Sequence, residues 1–388
     1  MSVPLVIAMV LSDEREVFRR YSVSEPWFGT APTALLEGLA QSPGCEVHII
    51  SCLQQPVGSP ARIADNIYYH ALRVPKVGWL RTAYLGCVAA VRRQVRLIKA
   101  DVAHGQGTER YCALCAAFSG LPNIVTIHGN MRRLAALSRA RPFTFAWCMA
   151  RLERFVLPRT DGFICPSAHT ERQVQPAARR TWVVPNAVDP SFFDIKRCPD
   201  STPTLLCVAN ILPLKNQVGL IEALDEVAAR EQFRMVFAGA VYEDSEYGRA
   251  FRRLVSQRSW CEYAGVADRN RLKRLLASAT ALVLPSFEEN CPMAVLEAMA
   301  VGLPVIASNV GGTPEIISGD NGMLFDPRDP SAIRNAVTGI LSHPAHAVAL
   351  GQAGKLAAER RFHPKPVAAT HLRIYRELIV QEKRLANF

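Results

Sequence analysis

The 388-residue chain contains no run of about 20 apolar residues, which excludes a membrane-spanning helix of ordinary length. It has no tandem repeat, and its 23 glycines and 26 prolines are too few for a low-complexity chain. The zinc-finger, RNP and KH patterns of nucleic-acid binders are missing, so nucleic acid is not an expected partner. The 11 cysteines follow no disulfide-scaffold spacing and are odd in number. Many sit in apolar runs, such as Cys207 in LLCVAN, which reads as reduced, buried thiols in a cytosolic protein. Cys112 and Cys115 form a CxxC, but no second pair follows at zinc-site spacing; the pair reads as one face of a packed helix. The start, MSVPLVIAMVLSDEREVF, lacks the basic residues that open a signal peptide and soon meets Asp13 and Glu14, so it reads as a core strand.

What the chain does have is enough length and apolar content (49% hydrophobic) for two cores. The formal net charge is +11, and it is uneven: residues 1–190 carry 22 Lys/Arg against 13 Asp/Glu, the remainder 23 against 21. A basic half suits an anionic partner. Between Asn66 and Ala100 lie seven basic residues (Arg73, Lys76, Arg81, Arg92, Arg93, Arg96, Lys99) and no acid, interleaved with Tyr68, Tyr69, Trp79 and Tyr84. The stretch reads as an interfacial contact, making an anionic membrane surface a candidate partner; a solvated basic helix is the competing reading. A protein of this kind is expected in the cytoplasm, peripheral at the inner face of the plasma membrane.

Short strands rich in Val and Ile, bounded by Gly, Pro and Asn, alternate with helical periods in two successive series. That alternation predicts an α/β fold of two Rossmann-like doubly wound domains, each a parallel sheet covered on both faces. The expected division is a first domain over 1–188, a proline-rich linker over 189–203 and a second domain over 204–365. A final helical segment, 366–388, is a candidate to pack back on the first domain. Ligands of such sheets bind beyond the carboxyl ends of the strands, so the expected site is a cleft between two such ends.

The strongest local signal is PSFEENCPMAVLEAMAVGLPVIAS, residues 285–308. A buried strand ends in a loop holding Glu288 and Glu289. Pro292 suits the first turn of a helix that carries Glu297 and is closed by Gly302. The start of that helix, near Cys291 and Met293, offers backbone N–H groups and positive dipole character to a phosphate. A solvated acidic turn followed by an exposed helical Glu is the alternative, and it is the preferred reading for Glu288. In LLCVANILPLKNQVGLIEAL, residues 205–224, Lys215 stands just before an amphipathic helix and can aim a charge at a ligand; a plainly exposed lysine is the competing reading. In the first half, HGQGTERY (104–111) and TIHGN (126–130) each follow a strand directly, and their glycines permit close approach of backbone to ligand.

Glu289 and Glu297, with seven residues between them and EAMAVGLPVIAS and GGTPEII following, resemble the E-x7-E signature of retaining glycosyltransferases of family four, which have the GT-B fold. The resemblance implies that Glu289 contacts the hydroxyls of the donor sugar and Glu297 the nucleotide ribose. It also implies that Lys215 neutralises the donor diphosphate, as in the family's G-R-x4-K loop, and that His128 borders the sugar. Cys291 and Met293 would supply amides to the donor, and Gly29 resembles the Gly-rich loop after the first strand. Glu109 and Arg110 are candidates for the acceptor side. Two positions depart from the family pattern: Asn210 stands where the arginine is usual and Pro292 where a Gly is usual. An amide donates hydrogen bonds but cannot neutralise leaving-group charge.

The function so implied is retaining transfer of a hexose from a nucleoside-diphosphate sugar to a hydroxyl acceptor, a glycan or lipid-linked saccharide. No cofactor is expected. No metal is expected either, since there is no DxD-like pair on a strand-end loop. The rivals are a non-catalytic sugar-nucleotide-binding protein on a degenerate scaffold, favoured by Asn210, and a nucleotide-sugar epimerase or phosphorylase.

Overall fold

In the computed structural model, which describes residues 4–386, the Val- and Ile-rich segments form two separate sheets. The chain divides into two units: the part up to Ala187 together with the part from Pro364 onward, and Val188–His363.

The sheet of the first unit comprises β1 (Leu5–Val10), β2 (Cys45–Leu53), β3 (Arg62–Ala64), β4 (Ile67–Arg73), β5 (Val102–Gln106), β6 (Asn123–Thr126), β7 (Gly162–Cys165) and β8 (Thr181–Val183). Their order is β3-β4-β2-β1-β5-β6-β7-β8, so the direction of winding reverses between β1 and β5. All neighbours are parallel except β3 with β4. Alternate residues feed opposite faces: Ala8, Val10, Ala103, Val125 and Phe163 enter one apolar cluster, and Ile7, Met9, Val102, Ile124 and Ile164 the other. Two buried faces explain why these strands read as continuous apolar runs.

The helix Pro364–Ala386 belongs to this unit, burying Val367, Ala368, Leu372, Tyr375 and Leu378 in the second cluster. Gly38, in the helix Thr30–Ala40, makes room for it, since a Cβ there would lie 2.8 Å from that of Ala368. The Tyr375 hydroxyl is 2.6 Å from Nδ1 of His104, a residue with no exposed surface.

Two expectations need correction. Residues 66–100 are not one basic amphipathic stretch. They comprise β4, two short 3-10 turns and the helix Leu85–Ile98, and Tyr69, Trp79 and Tyr84 are buried. Trp79 packs edge-on against Tyr111 at 5.6 Å, so these aromatics serve the core and leave the basic side chains on the surface. Nor are residues 189–203 a linker. Phe192 is fully buried in the second unit. The amides of Cys198 and Asp200 reach the carbonyls of Ala277 and Ser278. The prolines remove periodicity, and side chains and end carbonyls of the second unit hold the segment in place of a ladder.

The second sheet comprises β9 (Thr204–Val208), β10 (Arg234–Ala238), β11 (Cys261–Gly265), β12 (Ala281–Leu284), β13 (Val305–Ser308) and β14 (Met323–Phe325). The order is β11-β10-β9-β12-β13-β14, parallel throughout. Winding reverses between β9 and β12, where Ala281 and Leu282 pair with Leu205 and Leu206. The loops that leave these two neighbouring strands carry Lys215 and Glu289. A switch point of this kind is where a doubly wound sheet opens room for a ligand.

Candidate functional site

In the second unit the two loops are stitched together. The amide of Phe287 donates to the carbonyl of Leu214 at 2.8 Å. The Lys215 ammonium meets Oε1 of Glu289 at 2.5 Å, and the same oxygen accepts from the hydroxyl of buried Ser286 at 2.7 Å. Glu289 is 8% exposed. A third loop supports it from behind: the Gly312 amide donates to the Glu289 carbonyl at 2.9 Å, and Gly311 has φ +58. The result is a carboxylate and an ammonium, held by backbone contacts from three strand-end loops, at the switch point of the sheet.

Residues Cys291 and Pro292 lead into the helix Met293–Val301, which Gly302 closes at φ +79. The amides of Val295 and Leu296 both return to the carbonyl of Pro292, while the first-turn amides, that of Met293 among them, have no partner within the helix. Glu297, one turn in, is 4% exposed. It faces Arg269 at 4.0 Å, and Arg269 in turn pairs with Asp189 at 2.7 Å and lies over the Phe192 ring. Burial raises the Glu297 carboxyl to about 7; Arg269 pulls it down and Asp189 pushes it up. Asn210 is exposed, and its Oδ1 accepts from the Ala240 amide at 3.2 Å. Its side chain thus braces the loop after β10.

The sign of the Glu297 shift gives a measurable consequence. Its folded value lies above the ordinary carboxyl value of 4.5. Between these two pH values the folded protein keeps a proton that the unfolded chain has lost. The stability contributed is full below pH 4.5 and gone above pH 7. Glu297→Gln removes the titration, so the stability of the variant relative to wild type should rise by about 3 kcal/mol between pH 4 and pH 8. Urea unfolding of both proteins across that range measures it, and a pH-independent difference would contradict a desolvated carboxyl.

In the first unit, His128 Nε2 is 2.8 Å from Oε1 of Gln106. Desolvation, with His371 nearby, lowers the His128 imidazole to about 4, so the ring is neutral at pH 7. With Gln106 Oε1 as acceptor, Nε2 carries the proton and Nδ1 the lone pair. Glu109 accepts from the Gly129 amide at 2.9 Å. Its carboxylate packs against Gly107, at φ +88, and against Gly129, where a Cβ would lie 2.9 Å from Oε1. Burial lifts this carboxyl to about 7. Glu109 therefore ties the two HG loops together. Arg110 lies over the Phe145 ring at 5.9 Å. Burial raises the carboxyl of Glu14, at the start of the short helix Glu14–Val17, and Arg110 offsets part of that rise. Gly29 starts the helix Thr30–Ala40, its carbonyl accepting from the Thr33 amide.

The structure thus brings Lys215 and Glu289 into contact, places Glu297 on the helix that follows, and joins His128, Gly129 and Glu109 around two neighbouring strand ends. Three participants were not singled out from the sequence. Ser286 lies three residues before Glu289, so the signal for it is local. Gln106 sits in the HGQG segment itself. Arg269 had no local signal, because its partners Asp189 and Glu297 lie 80 and 28 residues away along the chain. Among the described residues, no group of three or more His, Cys, Asp or Glu is placed to hold a metal ion, and no helix is long and apolar enough to cross a membrane.

Two doubly wound α/β units of this topology define the GT-B class of fold. Sucrose-phosphate synthase from Thermosynechococcus elongatus matches over 97% of this chain and 100% of its own, with a TM-score of 0.76 at 21% identity. Anabaena HepE, solved in complex with UDP and glucose, matches over 96% of this chain and 100% of its own, with a TM-score of 0.73 at 15% identity. The model of glycosyl transferases group 1 matches residues 189–357 and that of glycosyltransferase family 4 residues 31–192. The two matches fall on successive parts of the chain and together mark it as a glycosyltransferase of the GT-B type. O-antigen chain mannosyltransferase B of Escherichia coli is 34% identical over 131 residues, which is 33% of this chain and 34% of that relative. The matched stretch therefore spans about a third of that relative's length.

Proposed function

We propose that the protein is a retaining glycosyltransferase that moves a hexose from a nucleoside-diphosphate sugar to a hydroxyl of a glycan or lipid-linked saccharide, without a cofactor or metal. The observation that carries this is the Lys215–Glu289 pair at the switch point of the second sheet. Breaking a sugar–phosphate bond places charge on the departing diphosphate. A fixed ammonium beside the open end of a helix stabilises that charge more in the transition state than in the ground state. Arrival of the diphosphate would draw Lys215 away from Glu289, releasing the carboxylate to accept from sugar hydroxyls. Glu297 would accept from the ribose, and the amides of Cys291 and Met293 would meet the phosphates. Asn210 braces the loop beside them. In the first unit His128 would border the sugar, with Glu109 and Arg110 on the acceptor side and Gly29 toward the donor.

Support comes from the family matches, from a relative named as a mannosyltransferase and from a structural neighbour solved with UDP and glucose. A lipid-linked acceptor fits the basic first half and would place the protein in the cytoplasm, peripheral at the inner face of the plasma membrane.

A thermal-shift screen against UDP-, GDP-, ADP- and CMP-sugars tests the reading. A donor at 100 times its Kd stabilises by about 2.7 kcal/mol, a rise of several degrees in melting temperature. One nucleotide class should give that rise, and a flat response to all four would count against a donor site. The anomeric form of the product, read by NMR, then tests retention. Asn210 in place of a cation favours a second reading, a sugar-nucleotide-binding protein without turnover. Selective donor binding with no transfer or hydrolysis would select it.

A further inference from the structure

Acids are absent from a second stretch of the first unit besides residues 66–100. From Arg110 to Leu152 the sequence contains no Asp or Glu and six arginines. Part of this stretch folds as a helical hairpin, Met131–Leu137 and Phe145–Val156. Its turn carries Arg139 and Arg141, both exposed, and Phe143, which is 86% exposed. The Phe143 ring leans on Trp147 at 5.4 Å, and the Arg151 guanidinium covers Trp147 at 4.8 Å. Leu134, Leu137 and Phe145 add exposed apolar surface on the same hairpin. Single exposed apolar side chains need no explanation, but a cluster on one hairpin, with Arg139, Arg141 and Arg151 among it, marks a contact surface.

We propose that this hairpin is the membrane-docking element of the protein and that its partner is an anionic lipid bilayer. The proposal rests on the reading of a lipid-linked acceptor. Charge complementarity selects the partner: the tip offers Phe and Leu for insertion at the headgroup boundary, with Arg139 and Arg141 beside them to meet lipid phosphates. In residues 66–100, by contrast, Tyr69, Trp79 and Tyr84 are committed to the core.

The root of the hairpin ties this surface to the candidate site. Glu153, 1% exposed, accepts from the Met131 amide at 2.9 Å, from Arg132 Nε at 3.1 Å and from the Thr108 hydroxyl at 2.6 Å. Asn130 caps the first helix and follows His128 and Gly129 directly. Docking of the tip therefore holds the His128 loop at a fixed short remove from the lipid surface, where the saccharide of a lipid-linked acceptor begins.

Sedimentation with vesicles of phosphatidylcholine, with and without phosphatidylglycerol, tests this with three proteins: wild type, Leu137→Ser/Phe143→Ser, and Arg92→Gln/Arg93→Gln. Wild type should partition to the anionic vesicles about tenfold or more above the neutral ones. The hairpin variant should lose about tenfold of that partitioning, and the Arg92/Arg93 variant less than about threefold. Unchanged melting temperature and donor stabilisation would show that the variants are folded. Equal partitioning of wild type and hairpin variant would overturn the assignment, as would wild type that ignores anionic vesicles. A wild-type dimer in the absence of vesicles that Phe143→Ser dissociates would overturn it in favour of self-association. Donor stabilisation that persists in any of these cases leaves the transferase reading standing; its absence in wild type removes that reading on separate grounds.

Discussion

Lys215→Ala should lower the kcat/KM of glycosyl transfer about 10²–10³-fold, the loss seen when one fixed donor to a developing negative charge is removed. The expectation follows from the position of the ammonium, which stands on the loop after β9, against the loop after β12, where the sheet reverses its winding. In the proposed transfer a cation there would meet the leaving diphosphate, and Asn210 cannot stand in for it because a neutral amide does not neutralise that charge. The substitution also strands Glu289. That carboxylate is 8% exposed and would retain only the Ser286 hydroxyl as a side-chain donor among the contacts described. Losing one partner of a largely buried pair should cost about 2 kcal/mol of stability.

Glu289→Gln separates the two effects. It removes the buried charge, so Lys215→Ala/Glu289→Gln should recover most of the stability lost in Lys215→Ala while remaining inactive. The double variant should be no more than about tenfold worse than the poorer single variant, because residues acting as one unit are not additive. Steady-state kinetics and urea unfolding on the four proteins complete the cycle. Lys215→Ala within about threefold of wild type would show that the phosphate charge is met elsewhere.

Much of the fold was legible in the sequence because it rests on local pattern. The strands Leu5–Val10, Gly162–Cys165, Arg234–Ala238 and Ala281–Leu284 coincide with their apolar runs, since burial on both faces leaves no polar residue within them except at an edge. What escaped was set by long-range contact. The segment Ile67–Arg73 is a strand because β2 pairs along its full length, and its mixture of Tyr, His and Arg gave no clean alternation. Residues 189–203 looked like a linker because proline hides the fact that Phe192 fills a core.

The same division holds for the site. Glu289, Glu297 and Lys215 announced themselves by position relative to strand ends. Arg269 did not, because its contact with Glu297 depends on the start of the helix Arg269–Ser278 lying near the helix Met293–Val301. Glu109 is visible as a polar residue after a strand, but its use in joining Gly107 and Gly129 depends on two strand-end loops 20 residues apart coming together in the fold.

Gly311→Ala should reduce kcat/KM about 100-fold without touching any group that contacts a substrate, since a displacement of about 1 Å at a reacting group is enough for such a loss. Gly311 holds φ +58, a left-handed conformation that costs an alanine about 1 kcal/mol. The larger effect is steric. A Cβ at this position would clash with the carbonyl oxygen of Glu289 and lie 2.9 and 3.2 Å from its carbonyl carbon and amide nitrogen. These are backbone atoms, so relief requires moving the Glu289 main chain. That motion breaks the bond from the Gly312 amide to the Glu289 carbonyl and withdraws the carboxylate from Lys215 and Ser286. Gly319→Ala is the control, since an added Cβ there meets nothing within 4 Å. It should keep activity within about twofold of wild type, as expected for a surface change without strain. If Gly311→Ala matches the control in kcat/KM while melting at a lower temperature, the loop supports only stability. Loss of activity with a melting temperature close to wild type shows that the position of Glu289, held from behind by a residue with no side chain, is what the reaction depends on.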